Sequence, residues 1–485
     1  MYNVVWLKKD LRLHDHAPLA CAIENKAPTL ILFILENDWF LQPDFANRHW
    51  LFAFQCLIDI GKKLNSSKKI FHVLQGDVVS IFHELYETHG VFNLYSHVET
   101  GNNFTFMRDK NVKSFCKKFG INWKEWPQFA VKRGLRDRTN WSKHWEAFMQ
   151  EPLYDVDLMN FEGLNLSNEI CSRYLLTTHP IKEAHIQIGG ETKALELWKE
   201  FISYRHKNYS KHISKPSESR VSCSRLSPHL TWGSISIRKI IQDIQQQKRP
   251  YRSLVNFKSR LHWHCHFIQK LESEPRIEFE NQNTAYNSIR NSLNIEWFDR
   301  WKNGNTGIPM VDACMRCVNQ TGYLNFRMRA MLISFWTQHL WQPWQPAALH
   351  LAKQFTDYEP GIHYAQVQMQ AGTVGYHTIR VYNPRKQALE HDPEAKFIKE
   401  WLPELRNLPH DLAISPWKIN EMEQLFYSFI VGLNYPKPLT DPEVSGKIAS
   451  QALHLFQKQE LTKREAKKIM STHIVPKNKK GQSSD

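Results

Sequence analysis

No uncharged apolar run in this chain is long enough to cross a bilayer. The opening residues, MYNVVWLKKDLRLHDH, reach a charge at Lys8 and contain no apolar stretch of the signal-peptide kind. A soluble, cytoplasmic protein is expected. Cysteine is sparse: eight residues are scattered from Cys21 to Cys317, which argues against a disulfide framework and for reduced thiols. Acidic residues are in deficit, 48 against 63 Lys and Arg, for a net charge of +15. Such a surplus serves solubility or meets a polyanion such as nucleic acid. Part of it lies in LTKREAKKIMSTHIVPKNKKGQSSD (461–485), whose composition predicts a basic, disordered tail. Glycine-rich phosphate loops are missing as well. No GxGxxG follows the first strand-like run, and GxxxxGK[ST] occurs nowhere.

What is present begins with short β-branched and apolar runs: NVVWL (3–7), TLILFIL (29–35), KIFHVL (69–74), VFNLYS (91–96) and INWKEW (121–126). Helix-length segments such as 48–64 and 77–89 separate them. Strand and helix in alternation predict a parallel, Rossmann-like sheet with helices on both faces. The α/β domain is therefore placed at 1–130. Segment 131–195 has weak periodicity and reads as an interdomain connector. From 196 to 460, segments such as LVNFKSRLHWHCHFIQKL carry apolar residues at helical spacing and predict a large all-α domain. Without a glycine loop in the first domain, a nucleotide cofactor would have to be held by the second.

Several constellations compete with plainer readings. His262 and His266 lie one helical turn apart and would share a metal only if further ligands came from elsewhere, so a polar cleft wall is the better reading and no metal is assigned. CMRC (314–317) sits mid-helix, where a thiol gains no help from a helix start, so two buried cysteines outweigh a redox pair. SCSRLSPHLTWGSIS (222–236) clusters small hydroxyl residues and Arg225 before a helix, which suits a phosphate as well as a capping loop. Arg327 and Arg329 precede LISFWTQHLWQPWQP (332–346), with Trp336, Trp341 and Trp344 packed into nine residues, and TDYEPG (356–361) supplies Asp357 and Glu359. Arg329 with Asp357 is a reasonable buried pair.

Taken together, these segments resemble the photolyase/cryptochrome family over nearly the whole chain. VVWLKKDLRLHDHAPL is similar to its opening motif, with Leu7 and Lys8 for Phe and Arg. SRLSPHLTWGSIS (224–236), WKNGNTGIPMVDACMRCVNQTGY (301–323) and RVYNPRKQALEHDPEAKFIKEWLPELRNLP (380–409) resemble further long motifs. The resemblance implies FAD held in the helical domain and light as the energy source, with room for a second, antenna chromophore that the sequence does not identify. It implies FAD contacts from Tyr209, Cys223, Ser224, Arg225, Leu226 and Ser227, and Arg329, Asp357 and Glu359 around the isoalloxazine. The implied partner is DNA containing pyrimidine dimers, met by a monomer. Arg260, Trp263, His264 and Asn325 stand at the family's DNA-facing positions, with Arg225 and Arg385 as further phosphate contacts.

The departures are specific. Family members relay electrons along three tryptophans. Trp301 matches the surface member and Trp344 the middle one, but Val367 stands where the flavin-proximal indole belongs, leaving Trp336, Trp341 or Tyr364 as detours. Arg260 occupies the place of the dimer-repair Glu, His264 and Cys265 replace Arg and Glu, and His363 falls near the usual Asn beside flavin N5. A light-driven DNA photolyase is the first reading. A cryptochrome-like photoreceptor without repair activity is the alternative.

Overall fold

The computed structural model describes residues 1–159, 161–247 and 251–474. Each of the five expected runs is a strand: β1 Tyr2–Leu7, β2 Thr29–Leu35, β3 Phe71–Gln75, β4 Phe92–His97 and β5 Asn122–Trp126. They form one parallel sheet in the order β3-β2-β1-β4-β5. Alternation along the central strands serves both faces. Val5, Leu7, Ile31 and Phe33 pack with Leu19 of α1 (Ala17–Glu24) and Trp50 and Phe52 of α2 (Asn47–Ser66). Val4, Trp6, Leu30 and Leu32 pack with Ile81 and Phe82 of α3 (Val78–His89) and Val112 and Phe115 of α4 (Asn103–Lys118). With both faces covered, β1 and β2 are buried throughout, which is why they read as continuous apolar runs.

The strand order reverses direction between β1 and β4, and in such sheets a crevice opens there at the carboxyl ends. Side chains fill it here. Arg108 pairs with Glu36 at 2.9 Å and Asp109 at 2.8 Å, and Lys8 reaches Asp109 at 3.3 Å. Asp10 accepts from His16 Nε2 at 3.0 Å and His97 Nδ1 at 2.7 Å. These three residues have metal-like spacing. The Leu19 N–H donates to His16 Nδ1 at 3.1 Å, however, so the neutral ring carries its proton on Nε2, where a metal would need a lone pair.

Two of the motifs meet across the domain boundary. Leu11 N donates to Trp232 O at 3.0 Å, Arg12 Nη1 to Gly233 O at 2.9 Å, and Arg238 clamps Asp15. Gly233 has φ +65°, and a Cβ there would lie 2.2 Å from Lys9 O, so backbone contact itself closes this joint.

The rest is helical, and among the described residues no helix is long and apolar enough to cross a membrane. The connector region contains α5 (Trp141–Gln150), whose Trp141, Trp145 and Phe148 join the core of the helical part. Helices Arg252–Ser273 and Pro360–Ala371 cross in close contact at Gly361, where a Cβ would lie 2.6 Å from Ile268 Cα. Gly361→Ala is therefore expected to cost about 1–3 kcal/mol by overpacking, measured as a lower urea midpoint at unchanged slope.

The tail departs from expectation. Glu460–His473 is a helix with Thr462, Ala466, Ile469 and His473 buried, and His473 Nε2 lies 2.7 Å from Glu274 Oε2. Lys463, Arg464, Lys467 and Lys468 form its exposed face, and this charge obscured the helical period. The expected disorder beyond residue 474 lies outside the described residues.

Candidate functional site

The segment 223–227 leaves the helix Pro216–Ser222 and turns into the short helix Ser227–Thr231. Arg205 holds the turn from behind, donating to the carbonyls of Cys223 and Ser224. Leu226 N donates to Ser224 Oγ at 3.3 Å, and the Leu226 side chain is fully buried. Arg225 sits at the bend with φ +62°, a conformation that strains a residue with a Cβ by about 1–2 kcal/mol. Its guanidinium stacks 3.5 Å above the Tyr323 ring, leaving Nη1 buried and without a partner. Tyr209 is buried, its ring against Phe201 and Phe257.

Facing this turn, Arg329 Nη2 donates to Asp357 Oδ2 at 2.9 Å and Nε to Leu324 O at 2.6 Å, with the guanidinium 3.9 Å over Phe355. Burial pushes the Asp357 carboxyl up, but Arg329 and a hydrogen bond from Ser227 outweigh it and hold the group below the usual range. Asp357 Oδ1 has no partner. His264 reaches the same region from helix Arg252–Ser273. Its Nδ1 is also orphaned, and burial lowers the imidazole to about 4, so the ring is neutral at pH 7. Glu359 is set apart from this pair. Burial pushes its carboxyl up to about 7, and the charges acting on it are Lys9 and Glu99 across the domain joint.

Orphaned, buried Arg225 Nη1, Asp357 Oδ1 and His264 Nδ1 would each cost about 1–3 kcal/mol if left unpaired. A dinucleotide would supply the missing partners: phosphate oxygens for the arginine, and ring or amino N–H groups for the carboxylate. The residues present therefore fit FAD: Arg225 would take a phosphate and the Arg329–Asp357 pair would face the ring. Sequence reading missed Arg205 and Tyr323. Tyr323 closes the motif 301–323 but carried no signal that it would lie under Arg225.

The DNA-facing expectations divide. Arg260 is exposed and Trp263 is 46% exposed, its ring stacked on Phe267 at 5.8 Å. Asn325 is buried instead. It precedes helix Phe326–Ser334 and donates from Nδ2 to Ile213 O at 3.1 Å, while neighbouring Phe326 is 48% exposed. Arg385 donates from Nε to Ser415 Oγ at 3.0 Å.

The tryptophans sort into two groups. Trp301, expected at the surface, is fully buried and lies 5.3 Å from Trp336, with Phe298 beside both. Helix 326–334 runs into a π-helical turn at Phe335–His339, which positions Trp336 inward. Trp344 is also buried and donates from Nε1 to Asn281 Oδ1 at 2.9 Å, and the ring it meets is Tyr364, edge-on at 6.4 Å. Tyr364 continues to Tyr358, with hydroxyls 3.3 Å apart, and Tyr358 donates to Asp44 Oδ2 at 2.6 Å. His363 touches both tyrosine rings at 5.2 and 5.4 Å. Trp341 lies apart, under Arg290 at 4.5 Å. Cys314 and Cys317 are buried thiols whose pKa values burial raises, Cys317 to about 11.

Residues 3–130 match a family model described as DNA photolyase, and residues 257–455 one described as the FAD binding domain of DNA photolyase. The chain is 24% identical over 488 residues to the deoxyribodipyrimidine photo-lyase of Alkalihalophilus pseudofirmus, spanning 94% of this chain and 98% of that one. It is 23% identical over 503 residues to cryptochrome-1 of Drosophila melanogaster, spanning 92% of each. Its fold matches that of a Synechocystis cryptochrome with a TM-score of 0.82 at 21% identity, covering 93% of this chain and 98% of that chain.

Proposed function

The chain belongs to the photolyase/cryptochrome family of FAD flavoproteins, and from that premise we propose that it is a light-driven DNA photolyase acting as a monomer on pyrimidine dimers. One helix carries the reading. Arg252–Ser273 presents exposed Arg260 and Trp263 outward and His264 inward to the Arg329–Asp357 pair. A base stacked on Trp263 would thus stand beside the cofactor cradle, as a flipped lesion requires. When bound and reduced, FAD supplies the light-activated electron for splitting a dimer. The protein's part is to orient and to shield. Arg329 would hold a positive charge beside the ring, and a nearby cation favours the anionic reduced form. Neutral His264 adds no second charge, and Trp263 and Phe326 each present an exposed aromatic ring.

A photoreceptor role without repair is supported by two observations: Asn325 is turned inward onto Ile213, and an imidazole that is neutral at pH 7 replaces a family arginine at 264. Product analysis decides between the two. The reduced protein is illuminated with DNA containing cyclobutane dimers or (6-4) products. Restored bases establish repair, and unchanged lesions in both substrates leave the receptor reading.

Exposed Arg260 and the net charge of +15 have a further consequence. Affinity for damaged or single-stranded DNA should fall steeply with salt, because each neutralised phosphate releases counterions. Trp263→Ala should weaken that binding by about 1–3 kcal/mol without changing the salt slope, since stacking involves no phosphate. A Trp263→Ala variant with unchanged affinity would remove the stacking role.

A further inference from the structure

His262, His266 and Lys270 recur every four residues on helix Arg252–Ser273 and share the face away from His264. That face meets α5. The His262 and His266 rings lie 5.1 and 5.7 Å from Trp141, and the Arg138 guanidinium lies 5.1 Å over the same indole. Arg138 is fully buried. Its Nη2 donates to His266 O at 3.3 Å, while Nε and Nη1 are buried without a partner. Lys270 is 3% exposed and makes no hydrogen bond or ion pair among the described residues; its Nζ stands 5.9 Å from the Tyr376 ring. His377 lies against that ring at 4.1 Å. Glu274, the carboxylate that acts on Lys270, is already taken by His473 at 2.7 Å, Gln282 at 3.1 Å and Arg276.

Two buried basic groups thus share a patch whose carboxylate, Glu274, is already engaged by other side chains. Burial, with Arg138 adding to it, lowers Lys270 to about 7, and burial lowers Arg138 to about 10. Buried charge of one sign persists when a counter-ion with several acceptors completes the site. His266, Tyr376 and His377 are half-buried, and Arg138 and Lys270 beside them are buried. This patch adjoins the Trp263 platform, since the His266 ring lies 5.2 Å from Trp263.

We propose that Arg138, Lys270 and His377, with Tyr376 at the rim, bind a phosphate-type oxyanion, and, resting on the DNA reading above, that this is a backbone phosphate of the strand whose base stacks on Trp263. The site holds the strand next to the flipped base by a charge that the solvent does not screen.

The test uses the full-length protein and Lys270→Met, which removes the charge but keeps the length of the side chain. Inorganic phosphate should raise the melting temperature of the wild type above that in sodium chloride of matched ionic strength. Lys270→Met should lose this rise, melt at least as high as the wild type without phosphate, and bind single-stranded DNA with a salt slope smaller by about 1. Should Lys270→Met fold poorly, His377→Asn serves in its place. Loss of the phosphate effect with an unchanged DNA slope would assign the site to a free oxyanion and overturn its link to DNA. No phosphate effect in the wild type, with DNA binding unaltered by the variant, would overturn the site outright. Trp263→Ala, run in parallel, reports on the DNA reading alone, so failure of the site and failure of that reading are separable.

Discussion

Asp357→Ala should cost about 3 kcal/mol of stability at pH 7 and strip the protein of FAD. The carboxylate is nearly buried and neutralises Arg329, whose side chain is 24% exposed. Removing one member of a buried pair leaves the other charge uncompensated, worth about 3–5 kcal/mol, and the partial exposure of Arg329 favours the lower end. The sign of the pH dependence follows from the depressed carboxyl. Its contribution is complete above the unfolded value of about 3.9 and is lost as pH falls through the lower folded value. Urea unfolding of the two proteins should therefore diverge at pH 7 and converge in acid. FAD released on denaturation, per mole of protein, should drop in parallel. Equal stability at pH 7, or a gap that persists through the acid range, would show that the pair contributes little.

Trp344→Phe and Tyr364→Phe should each reduce light-driven reduction of oxidised FAD to a small fraction of the wild-type rate, while Trp341→Phe should leave it intact. Val367 contributes no oxidisable ring where the family places one, and the ring that Trp344 meets is Tyr364. A tyrosine gives up an electron readily only if its proton can leave. Burial raises the pKa of Tyr364 and Tyr358 above the usual phenol range, so neither is pre-ionised. Tyr364 lies within reach of the Tyr358 hydroxyl, and Tyr358 donates to Asp44 at 2.6 Å, so the carboxylate is placed to take the proton. Each substitution keeps an aromatic ring and removes an easily oxidised one. Transient absorption after blue light should show the loss of tryptophan or tyrosyl radical, while, on the photolyase proposal, repair by chemically pre-reduced protein should persist. Unchanged photoreduction in Trp344→Phe would make this indole part of the packing.

Much of the architecture was legible in the sequence because it is local. The five strands announce themselves by period and β-branched composition, and each lies within two residues of its expected span. The missing glycine loop moved the cofactor out of the sheet. The Arg329–Asp357 pair followed from the rule that a buried guanidinium needs a carboxylate, and the two groups do meet at 2.9 Å. What failed was exposure. Trp301 was expected at the surface and is enclosed by Trp336 and Phe298, and Asn325 was expected at the DNA face and is turned onto Ile213. The basic segment after Leu461 was expected to be disordered, yet a buried stripe of Thr462, Ala466 and Ile469 folds it onto the body. Exposure is a property of packing between segments distant in the chain, and neither composition nor period encodes it. The same holds for the patch formed by Arg138, Lys270 and His377. Each is an unremarked residue in the sequence, and only tertiary contact between Trp141 of α5, the helix carrying Trp263 and the turn at Tyr376 brings Arg138 and Lys270 together beside a carboxylate that other groups already hold. The sequence by itself determined the sheet, the helical character of the second part and the family. The tertiary structure alone decided which aromatic rings touch and which buried charges lack a partner, because both depend on distances that the fold creates.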